Sequence, residues 1–243
     1  MPILKTADIA RNDISRLRQF DDILTVTHEQ RHLPTIAVAV AWNRPKVVEY
    51  LIQERGVDPN ASFEYRGAKH TPLSLAIDHA HIWMMDTLIE LGADVNTCPK
   101  PCSLLMMAIH KKLPLSTVWL LMEKGARFSQ THDKAPLRRT LALTTEAWRY
   151  IRLFGIYHRR EQITAKDVQG SHDGSNALEF YAKLVPEHDG FENEVHIMII
   201  DMGIIPTQAA IDNALETARR CEAVKMSSAR SRRLAEMLKG LMQ

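Results

Sequence analysis

Apolar residues recur at three- and four-residue steps along almost the whole chain. Ile14, Leu17, Phe20 and Leu24 do so near its beginning, and Ile211, Leu215, Ala218 and Cys221 near its end. That is the period of an amphipathic helix. Sustained alternation of apolar and polar positions, the mark of a half-buried strand, is absent, so the pattern predicts an all-α fold. The helical runs are short, and Gly, Pro and Asn interrupt them at regular intervals.

Regular interruption points to an internal repeat. Three segments align: PTIAVAVAWNRPKVVEYLIQERGVDPN from Pro34, TPLSLAIDHAHIWMMDTLIELGADVN from Thr71, and SLLMMAIHKKLPLSTVWLLMEKGARFS from Ser103. Each opens on small apolar residues and continues as a short helix, a turn, a second helix and a closing glycine. Gly56, Gly92 and Gly125 fall 36 and 33 residues apart, where a left-handed C-cap is expected. One such unit cannot bury its apolar faces alone, so the units must stack.

The middle unit, TPLSLA…LIELGADVN, resembles an ankyrin repeat nearly end to end. It departs from the family's pattern at Ser74, where the family usually has a His that hydrogen-bonds neighbouring loops. Two weaker units continue the series. The stretch from Ala135 keeps Pro136, Leu137 and a closing Gly155, and the stretch from Asn176 fits if PEHDGFEN is a loop inserted between its helices. The resemblance implies an all-α ankyrin-repeat solenoid of about five stacked helix-turn-helix units with helical N- and C-terminal caps. Its parts are a cap at 1–33, three clear repeats at 34–131, two degenerate repeats with insertions at 132–205, and a cap at 206–243. RREQITAKDVQGSHDGS reads as a long polar connection.

Composition refines this only a little. Of 243 residues, 45% are hydrophobic and 25% charged, which describes an ordinary globular chain. A formal net charge of +2 makes neither a nucleic acid nor a membrane the expected partner, so any electrostatic specificity is local. Three cysteines make no disulfide framework and fit a reducing compartment. MPILKTADIARND lacks the apolar core of a signal peptide, and no run approaches the roughly 18 apolar residues of a membrane span. An intracellular location, cytoplasmic or nuclear, is expected.

The stretch IDHAH at 77–81 looks at first like a metal cluster. On one continuous helix, His79 and His81 point about 200° apart, and if the chain turns at Ala80 they belong to different helices. In both cases the pair fails as a chelate, and zinc needs three or four protein ligands. His81 reads as architecture. CPKPC at 98–102 has no second cysteine pair, and phosphate-loop, GxSxG and HExxH motifs are absent. No metal and no cofactor are expected. Trp83, Trp119 and Trp148, with Met84 and Met85, lie in second helices and read as core between repeats.

The resemblance also implies a concave groove formed by the ends of first helices and by the loops before them, which family members use to hold partners. Carried residue by residue, the groove positions are Ala41 with Trp42, Asp78 with His79, and His110 with Lys111. The loop tips add Arg66, Ala68 and His70, then Cys98, Lys100 and Cys102. Trp42 is the aromatic anchor of that set. The expected partner-binding residues are Trp42, Arg66, His70, Asp78, His79, His110 and Lys111.

Charge is unevenly spread along the chain. Residues 134–160 hold seven basic side chains against Glu146, and 171–203 hold seven acidic ones against Lys183, which suits mutual neutralisation of consecutive units. The function expected is a non-catalytic interaction module or adaptor that binds another protein through the groove. The alternative is a small-molecule enzyme in which Asp78 orients His79 or His110 for acid–base work in the same groove. No nucleophile or cofactor motif supports it.

Overall fold

A computed structural model describes residues 4–20, 24–28, 31–129, 136–143, 147–159, 176–184, 191–224 and 226–243. Helices dominate: α1 (Thr6–Ala10), α2 (Ile14–Leu17), α3 (Thr35–Ala41), α4 (Pro45–Gln53), α5 (Pro72–Asp78), α6 (Ile82–Glu90), α7 (Leu104–His110) and α8 (Leu115–Glu123) come first. They are followed by α9 (Pro136–Leu143), α10 (Ala147–Arg159), α11 (Ala177–Tyr181), α12 (Glu192–His196), α13 (Gln208–Ala223) and α14 (Ala229–Leu241). The fold is mostly helical as expected, and two short antiparallel hairpins accompany the helices. Strand β1 (Thr25–His28) pairs with β2 (Arg31–Pro34), and β3 (Phe63–Tyr65) with β4 (Ala68–His70). These strands are three or four residues long, too short for alternation to stand out.

The chain forms two compact units, 1–113 with 123–126, and 114–122 with 127–243. In the first, α1 packs on α3, α3 on α5 and α5 on α7, while α2 packs on α4 and α4 on α6. First helices therefore make one layer and second helices another. The middle layer is apolar all round: every residue of α3 is buried, as are Pro72–Ile77 of α5 and Leu104–Ile109 of α7. Each Leu or Ile so covered contributes about 1.5–3 kcal/mol.

Local chemistry sets where these helices begin and end. Thr71 caps α5 by accepting from the Ser74 amide, and Ser74 Oγ accepts the Thr71 amide in return. Thus Ser74 closes a capping box within its own repeat, and Pro72 sits at the first turn where its missing N–H costs nothing. Ser103 caps α7 in the same way, through the Met106 amide. Each first helix then ends on a left-handed residue, Asn43, Ala80 or Lys112, with φ of 54°, 56° and 54°. The amide one residue further on reaches back five positions: Arg44 to Ala39, His81 to Ala76 and Leu113 to Ala108, at 2.8–3.0 Å. That bond defines the Schellman turn. Asn12, with φ 52°, occupies the same place between α1 and α2, so the N-terminal helix pair copies the repeat's geometry.

Second helices end differently. Gly56, Gly92 and Gly125 have φ of 67°, 91° and 87°, the left-handed closure expected of them. From there, side chains link one repeat to the next. Asn60 donates to the Gly92 carbonyl and accepts from the Asp94 amide, and Asn96 donates to the Gly125 carbonyl. Thr71 Oγ1 reaches the Thr97 carbonyl, and His81 Nε2 the Ala41 carbonyl at 3.0 Å.

In the second unit, α10 packs on α9, on α12 and on a five-residue π-turn, Ile197–Asp201, that continues α12. Helix α11 packs on α9 and α13, and α13 pairs with α14. Gly155 is not the closing glycine that the fourth unit was expected to have. It lies inside α10, and a Cβ there would stand 2.5 Å from Ile197 Cγ2. Glycine is present because two segments approach closely, which a periodic reading does not distinguish from a cap. The left-handed glycine of this unit is Gly203, φ 66°. PEHDGFEN lies largely, and RREQITAKDVQGSHDGS almost wholly, outside the described residues.

The tryptophans also need correction. Trp83 is 80% and Trp119 46% exposed, whereas Met84 and Met85 are fully buried. Helix α6 turns Met84, Met85 and Leu88 inward, and Trp83 shares its face with Thr87 and Glu90. The side chain of Trp148 lies outside the described set.

Two substitutions test these assignments. Ala80→Gly relieves a left-handed alanine and raises stability by about 0.5–1 kcal/mol. Gly155→Ala lowers it by about 1–2 kcal/mol despite alanine's better helix propensity, because the added methyl would stand 2.5 Å from Cγ2 of Ile197, a β-branched side chain stiff at χ1. Denaturant midpoints at constant m-value measure both.

Candidate interaction site

Four elements of the first unit converge near residues 77–81: the β3–β4 finger, the end of α5, the loop after α6 and the end of α7. The finger reverses through Arg66 and Gly67, both left-handed at φ 52° and 78°. Two successive residues of that kind make the two-residue hairpin turn that suits strand twist, for which Asn-Gly is the favoured pair. Here Arg stands in the first place, and its guanidinium lies 5.4 Å from the centroid of the Tyr65 ring.

Tyr65 in turn meets His79 edge-on at 6.4 Å, and His79 stacks on His81 at 5.5 Å with 22° between ring planes. The turn at Ala80 therefore brings the two histidines face to face, an arrangement in which their nitrogens do not converge on one ion. Among the described residues no three His, Cys, Asp or Glu side chains are placed to hold a metal. Through the His81 bond to Ala41, this stack joins the finger tip to the preceding repeat. His81 is architectural, and so is much of His79.

Asp78, the last residue of α5, is the electrostatic centre. Lys100 Nζ donates to its Oδ2, and Lys111 Nζ to its Oδ1 at 3.0 Å. Burial opposes its ionisation, but these hydrogen bonds and the two positive charges outweigh burial and hold the carboxyl below its ordinary value. His70 Nδ1 lies 3.7 Å from Oδ2, beyond hydrogen-bond distance. Partial burial lowers the pKa of His70, and Lys100 lowers it further. Partial burial also lowers that of His79, with His81 and Arg66 adding to the effect. Both imidazoles are therefore disposed to be neutral at pH 7.

Among the expected groove residues, Arg66, Asp78, His79 and Lys111 come together. His70 does not stand at a loop tip: it ends β4, is 4% exposed, and lies beneath the cluster. Trp42 is half-buried at the C-cap of α3, the position that His79 holds in α5 and Lys111 in α7, and His110 is exposed at the end of α7. The carboxylate of Asp78 is engaged by two lysines and faces His70, not the dyad that the acid–base alternative required. Tyr65 was missed in the sequence, although an aromatic residue directly before an Arg-Gly reversal is a legible sign. Lys100 was placed at a loop tip, but its partner 22 positions back was not foreseen. CPKPC contributes Lys100 rather than a cysteine pair. Cys98 and Cys102 are not joined in a disulfide, and Cys98 Sγ lies 3.7 Å from Met107 Sδ.

In the second unit, the basic and acidic stretches do meet at one point: Arg152 Nε lies 2.9 Å from Oε1 of the fully buried Glu194. Arg152 also lines an open groove of about 430 Å3 with Asn193, His196, Ile197, Ile200 and Asp201.

The lowered histidine pKa values carry a sign. Unfolded imidazoles protonate near 6.5 and the folded ones only at lower pH, so the unfolded state binds more protons between those values. Stability then falls as pH drops below about 6.5. Asp78 adds nothing in that window, because its contribution is lost only below about pH 4, as pH falls through its depressed folded value. In urea titrations from pH 7.5 to 5.5, the midpoint is expected to fall. The double variant His70→Gln, His79→Gln is expected to show a flatter profile.

A family model for ankyrin repeats, in three copies, matches residues 36–132. No curated protein matches the chain. Among solved structures, it is similar to a chain of the complex between the predatory endopeptidase Bd0816 from Bdellovibrio bacteriovorus and immunity protein Bd3460. The TM-score is 0.39 at 15% identity, covering 96% of both chains. Among the described residues no helix is long and apolar enough to cross a membrane. With repeated capped helices, left-handed turns and closing glycines falling inside the matched residues, residues 36–132 are three ankyrin repeats.

Proposed function

We propose that the first unit is a non-catalytic adaptor surface that holds another protein along the edge running through Trp42, His79 and Lys111, with the Arg66 finger beside it. Ankyrin repeats are protein-interaction modules, and what supports this edge in particular is a single observation. Three equivalent C-cap positions in successive packed helices carry an indole, an imidazole and an ammonium group where the scaffold needs only a helix end. The scaffold's own requirement, a left-handed residue, falls one position later. The turn thus leaves the identity of the C-cap side chain open to recognition. Asp78 holds Lys111, Tyr65 meets His79, and His110 extends the edge.

Rigid presentation favours affinity, since fewer rotamers are lost on binding. The finger is fixed by the Arg66–Tyr65–His79–His81 stack and the α7 end by the Lys111–Asp78 pair, so this edge is ordered before a partner arrives.

Affinity capture from the source cell with quantitative mass spectrometry tests the reading. Trp42→Ala, folded by circular dichroism, is expected to weaken capture by more than about 1 kcal/mol. Trp83→Ala, on the outer face of α6, is expected to leave it unchanged. The opposite pattern would assign binding to the outer face instead.

A further inference from the structure

The cluster around Asp78 is not electrically balanced. Lys100 and Lys111 both pair with Asp78, and Arg66 lies close enough to act on the neighbouring His79. Three cations against one carboxylate leave a formal surplus of two positive charges. His70 and His79 add none, because burial and the same cations keep them neutral. Lys69 is set aside, since it faces Glu64 directly across the finger and the two offset each other.

Within this cluster Arg66 is exposed at the finger tip. Its guanidinium lies over Tyr65, and no carboxylate pairs with it among the described residues. It also occupies a left-handed turn position where asparagine or glycine would be unstrained. A strained backbone holding a long cationic side chain at a finger tip is the kind of outlier that points to a role. Guanidinium groups recognise carboxylates through two parallel hydrogen bonds.

We propose that this edge takes an extended acidic segment of a partner protein, with one carboxylate on Arg66 and another on the Lys100–Lys111 pair. The proposal rests on the reading of the edge as the partner site, and it names the occupant. Its length follows from the repeat. Neighbouring packed helices stand about 8–10 Å apart, so the two steps from α3 to α7 span about 16–20 Å. About six extended residues at roughly 3.3 Å each cover that distance.

A nucleic acid fits less well. Phosphates follow one another closely along a strand, and the row here is interrupted by Asp78 and flanked by Glu64. Tyr65 is buried and His79 is engaged on both sides, so neither offers a free ring for base stacking. An acidic peptide can space its carboxylates to suit. Asp78 then acts as an internal counter-ion that the partner's carboxylate competes with for the two lysines.

The test uses the full chain and fluorescein-labelled hexaglutamate, read by anisotropy at about 0.05 M and about 0.3 M NaCl. Hexaglutamate is expected to bind, to weaken at the higher salt, and to outcompete hexaglutamine. Arg66→Ala and Lys111→Ala are each expected to weaken it by about fivefold or more. Arg219→Ala, on α13, is expected to change nothing. Asp78→Asn removes the competing carboxylate and is expected to tighten binding by about threefold, whereas a purely structural cluster would lose affinity. If that variant does not fold, the exposed Arg66 and Lys111 variants decide alone. Hexaglutamate binding no better than hexaglutamine, or weakened equally by Arg219→Ala, overturns the acidic occupant. Persisting loss of capture by Trp42→Ala in that case leaves the partner edge itself intact. An octauridylate bound more tightly than hexaglutamate, with the same response to Arg66→Ala, also overturns it, in favour of single-stranded nucleic acid.

Discussion

The reversal after each first helix constrains everything else in the first unit. A helix of seven residues has too few internal hydrogen bonds to be stable alone, and it persists because it is packed on both sides. To return within three residues, the chain must place one residue in the left-handed region and bond the next amide five positions back. Asn43, Ala80 and Lys112 do this in turn, with Asn12 in the same place at the N-terminal pair. The residue just before each reversal is the C-cap, so its side chain leaves the chain at the very end of the helix. Trp42, His79 and Lys111 are in register because the reversals are.

None of those reversals uses glycine, although every second helix of the three repeats closes on one. Alanine and lysine are costly there, by about 1 kcal/mol or more. At Ala80 the compensation is visible, since the turn stacks His79 on His81 and anchors His81 to the preceding repeat. At Lys112 the neighbouring Lys111 is fixed by Asp78. At Ala80 and Lys112 backbone strain thus lies beside stacking and ionic contact, while the buried helices carry mostly apolar side chains.

The repeat, its period and its closing glycines were readable from the sequence because each follows from local conformation. Pro72 in the first turn and Gly92 after the last require nothing distant. What was not readable depends on neighbours in space. Gly155 resembles a cap in sequence, and only the approach of Ile197 shows why a side chain is excluded. Trp83 was assigned to the core from its period, but Met84, one position on, already filled that place. His70 looked like a loop tip because a three-residue strand leaves no alternation to read, and pairing with Phe63 carries it inside. Asp78 was identified as a groove residue, yet its two lysines come from segments 22 and 33 positions away, a distance over which spacing carries no information.

Neutral histidines beside surplus cations have a common origin. Partial burial disfavours charge on an imidazole, and nearby lysine and arginine disfavour it further, so each cation added to the edge makes the histidines better packing groups. The aromatic stack can therefore stay tight under a positive surface, with no proton to bring a like charge within it. Asp78 serves both sides of this arrangement. It orders Lys100 and Lys111 and limits their mutual repulsion, but with one carboxylate it cannot cancel Arg66 as well. The remaining positive field faces solvent at a fixed edge, where a negative partner gains most from it, because the scaffold has already borne the cost of ordering those side chains.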